Sequence, residues 1–307
     1  MTLWTSQLPP SVKIVEVGPR DGLQNEARQL PTECKRELIE RLITAGLKDI
    51  EICSFVSTKK IPQFADSAAL CSALLAQPRP DIHFSALVPN IQGLDDALAA
   101  GLKEVSFFTT VSATFCEKNI HCSIEESIER LRTFMPVAKR NGLKVRAYIS
   151  CVLGCPYEGF MPYQHTAELG QRLLDLGCYE LSLGDTIGIG TPRTVSDLLD
   201  CLMKTIPASR LAVHFHDTYG QAIANIVMAL QYGMATIDAA VGGLGGCPYA
   251  RGASGNVATE DLVYLLEGLG IPTGIDLMKL SETGEWISQE CGHHTRSKVG
   301  KALLKAG

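Results

Sequence analysis

Two histidines end an apolar run in the stretch Leu211-Ala-Val-His-Phe-His-Asp-Thr-Tyr-Gly220. Because side chains alternate between the two faces of a strand, His214 and His216 point the same way and Phe215 points the opposite way. Two imidazoles side by side at the end of a buried strand are suited to bind a metal ion. Since H-x-H is a short and common pattern, one core histidine and one surface histidine is the alternative.

Polar side chains also lie at or near the ends of other apolar runs. They are Arg20 and Asp21, Glu51, Arg146 and Tyr148, and Asp185. Taken singly, each has a structural explanation: Asp21 and Asp185 as helix caps, and Glu51 and Arg146 as partners of each other. Polar groups that converge on one place must be satisfied by one another or by a ligand, so the whole set favours a binding site.

Four of the candidate residues would form a mixed set of oxygen and nitrogen ligands. They are Asp21, His214, His216 and the amide oxygen of Asn256. Such a set suits Mg2+ or Mn2+, with further positions left to water. A structural zinc site would more often use thiolates and close at four ligands. The sequence therefore predicts a site for a hard divalent cation.

A glycine-rich segment ends the region that contains these candidates. Gly242–Asn256 has six glycines in fifteen residues and a single thiol, Cys247. Because glycine gives the backbone great conformational freedom, the segment is interpreted as a mobile lid. A cysteine on such a lid can enter a site as an acid or a base. The alternative is a tight loop in which Cys247 is an incidental small residue.

Short β-branched runs alternate with longer segments of helical period along the chain. The eight predicted strands are Val12–Val17, Asp49–Cys53, Phe84–Val88, Glu104–Phe108, Lys144–Ser150, Tyr179–Leu183, Leu211–His216 and Thr236–Val241. The predicted helices between and after them are Thr32–Ala45, Ser67–Leu75, Gly93–Ala100, Ser123–Asn141, Pro162–Leu176, Pro192–Thr205, Gln221–Tyr232 and Thr259–Leu269. Thr32, Ser67 and Ser123 are predicted to cap their helices.

This eightfold alternation predicts a (β/α)8 TIM barrel, in which catalytic residues lie at the carboxyl ends of the strands. We expect one domain over residues 1–307, with the barrel at about 12–270 and extra helices at about 271–307, where helical period runs from Asp276 to Glu290. A doubly wound open sheet is the alternative. It predicts a glycine-rich phosphate loop after the first strand, whereas Val17-Gly-Pro-Arg-Asp-Gly22 carries charge, so the barrel is favoured.

Composition limits the classes of partner. The net charge of −5 comes with no long basic run, which argues against nucleic acid and anionic membranes. The first residues lack a signal or transit pattern, and no apolar run reaches the ~20 residues that span a bilayer. The 11 cysteines are odd in number, scattered and mostly within apolar segments, which is typical of a reducing compartment. We expect a cytoplasmic protein.

Eight motifs resemble those of the 3-hydroxy-3-methylglutaryl-CoA lyase family of metal-dependent TIM-barrel lyases. The similarity runs from about Val12 to Gly274. The motifs are Val15-Glu-Val-Gly-Pro-Arg-Asp-Gly-Leu-Gln-Asn-Glu26, Ser54-Phe-Val-Ser57, Lys118-Asn119, His121-Cys-Ser-Ile-Glu-Glu126, Ser150-Cys-Val-Leu-Gly-Cys-Pro-Tyr-Glu-Gly159, Leu183-Gly-Asp-Thr-Ile-Gly188, His216-Asp-Thr-Tyr-Gly-Gln221 and Gly245-Gly-Cys-Pro-Tyr-Ala250.

The resemblance implies cleavage of 3-hydroxy-3-methylglutaryl-CoA to acetyl-CoA and acetoacetate by a homodimer that requires Mg2+ or Mn2+. It implies that Asp21, His214, His216 and Asn256 bind the cation. It further implies that Arg20 stabilises the enolate of the leaving acetyl-CoA, that Glu51 supports the site and that Cys247 is the catalytic thiol. Asp21 and His214 are both candidates for the base. Candidate contacts to the acyl-CoA thioester are Arg20, Gln24, Tyr148, Arg146 and Arg28.

Two departures from the family pattern bear on the substrate. The fourth strand ends in Phe107-Phe-Thr-Thr-Val-Ser112, where the family usually has small residues, which could reshape the acyl pocket. Ala27 stands near a position that is often lysine, and Arg28 beside it could replace a CoA phosphate contact. The same chemistry on citramalyl-CoA or a longer 3-hydroxyglutaryl-CoA is therefore an alternative.

Two other classes of protein are alternatives to a lyase. A condensing synthase of the same barrel group, such as an isopropylmalate or homocitrate synthase, lacks the Gly-Gly-Cys-Pro-Tyr lid, often has a regulatory domain, and is disfavoured for both reasons. A catalytically dead CoA- or metal-binding protein would require a broken set of site residues. Here every matching position is filled.

Overall fold

The computed structural model describes residues 8–246 and 255–305. Eight parallel strands form a closed barrel in which each strand pairs with its neighbours in sequence and β8 pairs with β1. The strands are β1 Lys13–Glu16, β2 Asp49–Ser54, β3 His83–Leu87, β4 Glu104–Thr110, β5 Lys144–Ser150, β6 Glu180–Asp185, β7 Leu211–Phe215 and β8 Thr236–Ala239. The predicted (β/α)8 barrel is confirmed.

Eleven α-helices lie within the described residues, most of them packed around the barrel. They are α1 Thr32–Ala45, α2 Ser67–Leu75, α3 Ile91–Ala99, α4 Ala113–Ile120, α5 Ile124–Arg140, α6 Tyr163–Leu176, α7 Pro192–Leu202, α8 Ala222–Gln231, α9 Thr259–Gly268, α10 Leu277–Glu290 and α11 Lys298–Lys305. All eight predicted helices are present, and the helical period expected from Asp276 to Glu290 corresponds to α10.

Of the three predicted N-cap residues, one is confirmed, and the other two lie one position inside their helices. Ser123 caps α5 in a full capping box, in which its hydroxyl accepts the N–H of Glu126. Thr32 and Ser67 are instead the first residues of α1 and α2. The reason is that both hydroxyls have other partners, because Thr32 donates to Asp66 and Ser67 donates to the carbonyl of Ser54.

One helix was not predicted. α4 follows β4 and begins after Ser112, whose hydroxyl accepts the N–H of Phe115 at 3.1 Å. The helix has only eight residues and ends at His121, which adopts left-handed φ of 56°. Its shortness leaves barely two turns of periodicity, which is too little for a sequence pattern to register. The helix lies at the carboxyl end of β4, where it forms one wall of the candidate site.

The core consists of the barrel interior and the layer between strands and helices. Phe107 is buried and packs edge to face against Phe134 of α5, with ring centroids 5.5 Å apart. Leu38, Ile39 and Leu42 line the buried face of α1. Burying each such side chain contributes about 1.5–3 kcal/mol, which holds the barrel rigid beneath the polar residues at its mouth.

The helices of the described residues bear on whether the chain could span a membrane. None of their helices combines the length and the apolar character needed to cross a bilayer.

Candidate active site

The turn after β1 presents Arg20 and Asp21 at the mouth of the barrel. Residues Gly18–Gly22 form one turn of π-helix. The buried carboxylate of Glu16, the last residue of β1, accepts the N–H of Gly18 at 2.8 Å. A Cβ on Gly18 would lie 2.5 Å from this carboxylate, so only glycine allows the turn to start so close to it.

Two buried carboxylates hold the backbone that follows β8. Glu16 also accepts the N–H of Val241 at 2.9 Å and the hydroxyl of Thr259 at 2.7 Å. Glu260 accepts the N–H of Gly242 with both oxygens, at 2.9 and 3.0 Å. Burial raises the pKa of Glu16 to about 7 despite these hydrogen bonds, and it also raises the pKa of Glu260. Sequence reasoning missed both residues, although an acid inside the apolar run of β1 was a visible signal.

Arg20 is held by two carboxylates and an aromatic ring. Its Nε donates to Glu51 Oε2, and its Nη1 donates to Asp21 Oδ1 at 2.5 Å. The guanidinium carbon lies 5.1 Å from the centroid of the Tyr148 ring. Glu51 in turn accepts the hydroxyl of Ser106, which fixes its orientation. The structural explanation considered for Glu51, pairing with an arginine, is thus correct, but its partner is Arg20 and not Arg146.

Three of the four predicted metal ligands face one another. Asp21 Oδ2 lies 3.7 Å from His214 Nε2 and 4.0 Å from His216 Nε2. One ligand atom from each of the three residues lies within 4.8 Å of the other two. A carboxylate and two imidazoles at this spacing fit a divalent cation, and three protein ligands leave positions for substrate oxygens.

The fourth predicted ligand lies beside them. Asn256 forms an isolated antiparallel bridge with His216, and its amide nitrogen donates to Asp21 Oδ2 at 2.9 Å. The same nitrogen donates to the carbonyl of Leu244 at 3.2 Å. A half turn of the amide would place its oxygen next to Asp21, so the side chain can serve either as a donor to the carboxylate or as an oxygen ligand.

The electrostatics of the cluster favour ligand forms of these residues. Burial raises the pKa of Asp21, but the charge of Arg20, followed by electrostatic interaction with the two imidazoles, outweighs it and holds that pKa well below its usual range. Burial, followed by the charge of His214, lowers the pKa of His216 to about 4. At neutral pH, Asp21 is therefore an anion and His216 is a neutral imidazole, which are the forms that bind a cation.

Arg146 lies deeper in the barrel than the sequence suggested. Its guanidinium donates to both oxygens of Asp238, at 2.7 and 3.1 Å, and its Nε donates to Glu180 at 2.7 Å. It also donates to the hydroxyl of Tyr148 at 3.1 Å. Asp238 Oδ2 lies 3.3 Å from His214 Nδ1. Arg146 does not line the cavity described below, so it supports Tyr148 and His214 from beneath.

A cavity of about 690 Å³ opens above these residues. Its floor includes Arg20, Asp21, Tyr148, His214 and His216. Gln24, another predicted substrate contact, also lines it. A volume of this size accommodates a ligand much larger than a small acid.

The outer part of the cavity has a basic rim formed by Lys60, Lys118 and Arg130. Lys118 lies on α4, with its Nζ 4.7 Å from the centroid of the Tyr157 ring. Such a rim suits an anionic group, for example a phosphate. Lys118 belongs to one of the family-like motifs, but the sequence pattern indicates no role for any of the three, because they come from separate loops and helices.

Two predicted residues lie elsewhere, and one lies outside the described residues. Arg28 is exposed and does not line the cavity. Asp185 accepts the N–H groups of Ile189 and Gly190, at 3.2 and 2.8 Å, so it caps the turn after β6. Cys247 belongs to the residues whose structure is not described.

Two features bear on the predicted acyl pocket and lid. Phe108, at the unusual end of β4, lines the cavity. Arg296 supports the first part of the predicted lid, since its Nη1 donates to the carbonyls of Gly243 and Gly245, at 3.3 and 2.5 Å. Its backbone N–H donates to the carbonyl of Gly242 at 2.8 Å. The segment before α11 thus fastens the glycine-rich stretch next to the site.

Comparisons with known proteins agree with this geometry. The HMGL-like family model matches residues 11–287. The chain is 53% identical over 298 residues to the mitochondrial hydroxymethylglutaryl-CoA lyase of Macaca fascicularis, which covers 97% of this chain and 91% of that protein. Relatives of similar identity are named both mitochondrial and cytoplasmic.

Solved structures give the same result. The hydroxymethylglutaryl-CoA lyase of Pseudomonas aeruginosa superposes with a TM-score of 0.95 at 47% identity, covering 98% of this chain and 100% of that one. An HMG-CoA lyase of Acinetobacter baumannii in complex with coenzyme A and 3-methylmalate has a TM-score of 0.90 at 34% identity, covering 98% and 97%. The barrel, the cluster at its mouth and these similarities together show that the chain belongs to the HMGL-like family.

Proposed function

We propose that this chain cleaves 3-hydroxy-3-methylglutaryl-CoA to acetyl-CoA and acetoacetate with the help of a divalent cation. The observation that carries the proposal is the position of Asp21, His214 and His216 beside the Arg20–Glu51 pair, on the floor of a cavity with a basic rim. The names of relatives at about 50% identity over nearly the whole chain support the substrate.

The reaction needs three events. The tertiary hydroxyl of the substrate loses its proton, and the C2–C3 bond breaks so that its electron pair enters the acetyl thioester as an enolate. The former hydroxyl carbon becomes the ketone of acetoacetate. A proton is then delivered to C2 of acetyl-CoA, so the proton removed and the proton added balance.

The four predicted ligands are Asp21, His214, His216 and Asn256, and Mg2+ or Mn2+ is the proposed ion. When bound, such a cation supplies Lewis acidity that lowers the pKa of the substrate hydroxyl. Asp21 and His214 are the two candidate proton acceptors. Asp21 contacts both Arg20 and His214, at 2.5 and 3.7 Å, so the two candidate acceptors and the fixed positive charge lie together.

Arg20 provides a fixed positive charge where the thioester oxygen becomes negative. Because its Nε and Nη1 are engaged by Glu51 and Asp21, its guanidinium is already oriented before substrate binds. Tyr148 packs against the guanidinium from the side of the barrel interior. Cys247, on the glycine-rich segment, is the proposed acid that protonates the acetyl carbanion or relays a proton to it.

The remaining proposals concern the rest of the substrate and the setting. Lys60, Lys118 and Arg130 are placed to attract the phosphates of a CoA thioester. They replace the sequence prediction for Arg28 as the first candidates for this contact. A homodimer in the cytoplasm is the expected form of the protein.

A coupled assay for acetyl-CoA release tests the function. Release from 3-hydroxy-3-methylglutaryl-CoA is expected with Mg2+ or Mn2+ and is expected to stop with chelator. Citramalyl-CoA and a longer 3-hydroxyglutaryl-CoA serve as competing substrates, because Phe108, near the carboxyl end of β4, lines the cavity. Faster release from either, with none from the methylglutaryl ester, would contradict the proposed substrate while leaving the reaction class intact.

The His216→Ala variant tests the cation site separately. Cation affinity measured by calorimetry is expected to fall by more than about 100-fold, since losing even an outer-shell partner costs about 10–100-fold. An exposed histidine on another element, His83, provides the matched control as His83→Ala. Unchanged affinity in His216→Ala would remove this residue from the ligand set.

A further inference from the structure

A second group of ligand-type side chains lies beside the cavity but outside its lining. Cys291 and His293 follow α10, and Glu26 lies in the loop after the Gly18–Gly22 turn. A carboxylate oxygen of Glu26, the Cys291 sulfur and a ring nitrogen of His293 lie within 4.8 Å of one another. Glu26 is separated from the other two residues by 265 and 267 positions in the sequence.

The end of α10 brings the two later residues together. The N–H of Cys291 donates to the carbonyl of Ile287 as the last helical hydrogen bond, and the N–H of His293 donates to the carbonyl of Ser288. Gly292 between them has φ of 91°, a left-handed conformation that glycine adopts without strain. The backbone that carries the thiol and the imidazole is therefore fixed by the helix end.

The imidazole of His293 is oriented like that of a metal ligand. Its Nδ1 lies 2.9 Å from the carbonyl oxygen of His294, and its Nε2 lies 3.1 Å from Glu26 Oε2. A carbonyl that accepts from Nδ1 leaves Nε2 facing Glu26, and an ion bound between these two residues would replace the proton that they share. The two carboxylate oxygens of Glu26 have different partners. Oε1 lies 3.7 Å from Nη1 of Arg296, and Oε2 is the oxygen that contacts His293.

The group is shielded but has an entrance. The side chain of Glu26 and the residue Cys291 are both 8% exposed, whereas the side chain of His293 is 27% exposed. An ion could thus enter along the His293 side and be enclosed by the other two ligands. This differs from exposed acidic clusters on a protein surface, where water competes fully for the ion.

The donor set distinguishes this group from the cluster at the barrel mouth. One sulfur, one nitrogen and one carboxylate oxygen are the ligand types that Zn2+ takes, at about 2.3 Å for sulfur and about 2.0–2.2 Å for nitrogen and oxygen. Mg2+ disfavours thiolate and prefers oxygen ligands. We propose that Glu26, Cys291 and His293 form a zinc site, with a fourth position for water.

Zinc binding at this site would release a proton from Cys291 and would also connect two nearby segments of the chain. A Zn–S bond forms as the Cys291 thiol releases its proton to solvent, with no oxidation or reduction. Asn25, next to Glu26, donates to the carbonyl of Gly246 at 2.8 Å, and Arg296, close after His293, donates to Gly245. The ion would join two segments that both hold the start of the predicted lid.

Cobalt substitution tests the site without measuring turnover. Co2+ is added to the full-length Cys247→Ser protein, in which the lid thiol is removed. A near-ultraviolet thiolate-to-cobalt charge-transfer band is expected, and Co2+ bound at the Asp21–His214–His216 cluster does not contribute to it because that cluster holds no thiolate. Cys291→Ser should abolish the band, and His293→Ala should weaken Co2+ and Zn2+ binding by more than about 100-fold.

Matched variants keep the result interpretable. Cys201→Ser removes a half-buried thiol elsewhere, and His294→Ala removes the neighbouring exposed imidazole, and neither should change the band. If Cys291→Ser misfolds by circular dichroism, Glu26→Gln takes its place and should weaken binding in the same way. Absence of a band, or a band that survives Cys291→Ser, would overturn the zinc site. Neither result depends on whether the proposed lyase reaction occurs.

Discussion

Arg20 and Glu51 form an ion pair between neighbouring elements of the barrel, with the Nε of Arg20 donating to Oε2 of Glu51. The pair joins the turn after β1 to the interior of β2. The pair matters because the guanidinium group of Arg20 contacts two carboxylates at once: its Nε donates to Glu51 and its Nη1 donates to Asp21. Only a planar fork can face two carboxylates in this way, whereas an ammonium group is a point charge on a flexible stem.

Arg20→Lys should therefore lower kcat by about 100- to 1,000-fold, the range seen when one fixed donor to a developing oxyanion is removed. Bound Mg2+ or Mn2+, measured by calorimetry, should remain at wild-type stoichiometry because Arg20 is not a ligand. Arg41→Lys, in an exposed ion pair on α1, is the matched control and should keep full activity. A single-turnover rate within a few-fold of wild type would show that Arg20 does not act on the transition state.

The basic rim predicts an effect on KM rather than on kcat. Lys118→Ala and Arg130→Ala should each raise KM for the CoA ester by roughly fivefold, since contacts at an exposed rim contribute up to about 1 kcal/mol. The increase should shrink as salt is raised, because salt screens exposed charges. Arg28→Ala, which alters an exposed arginine away from the cavity, should leave KM unchanged. A larger effect from Arg28 than from Lys118 would restore the original sequence prediction.

Cys247→Ser tests the proposed acid on the glycine-rich segment. Turnover should fall by two or more orders of magnitude, in line with the about 100- to 10,000-fold contribution of a placed acid or base. Metal content should not change, because the ligand cluster does not include this residue. Cys201→Ser, on α7, controls for loss of a thiol as such. Retained activity in Cys247→Ser would leave the residue with a structural role only.

Glu16 should give stability a distinctive pH dependence. Its pKa in the folded protein is raised to about 7, mainly by burial, above an unfolded value of 4.5. Between about pH 4.5 and pH 7 the folded chain therefore binds more protons than the unfolded chain, and the free energy of unfolding falls as pH rises. The loss from this group amounts to about 3 kcal/mol and is complete above pH 7.

Glu16→Gln should flatten this part of the profile. The amide oxygen can still accept the N–H groups of Gly18 and Val241, and the amide nitrogen can donate to Thr259, as a protonated carboxyl does. Urea unfolding of both proteins from pH 5 to pH 8 measures the difference, with the exposed Glu33→Gln as control. Parallel profiles for wild type and Glu16→Gln would contradict the raised pKa.

The sequence predicted the barrel and the proximity of the candidate ligands Asp21, His214 and His216 for the same reason. Strand-and-helix periodicity is local, and a parallel barrel brings every strand end to one rim, so Asp21 and His214 meet without any knowledge of distances. Which charged side chains pair with each other is not determined by local sequence in this way. Nothing in the spacing says that Arg146 pairs with Asp238, 92 residues later, while Arg20 takes Glu51. Loops such as the one that carries Lys60 depend on tertiary packing, and periodicity does not reach them.

The closure of β8 on β1 has a consequence for how the protein is made. Asp21 follows the first strand, and Asn256 follows the last, so the cation cluster draws on both sides of the barrel seam. During synthesis, which proceeds from the amino terminus, no partial barrel can contain the full ligand set. A cation that binds only the finished cluster cannot stabilise a nascent chain, and it adds its binding free energy only after the seam has formed. The proposed ion would therefore act as a late check on assembly, and a chain stalled before its eighth strand would lack the stability that the ion adds.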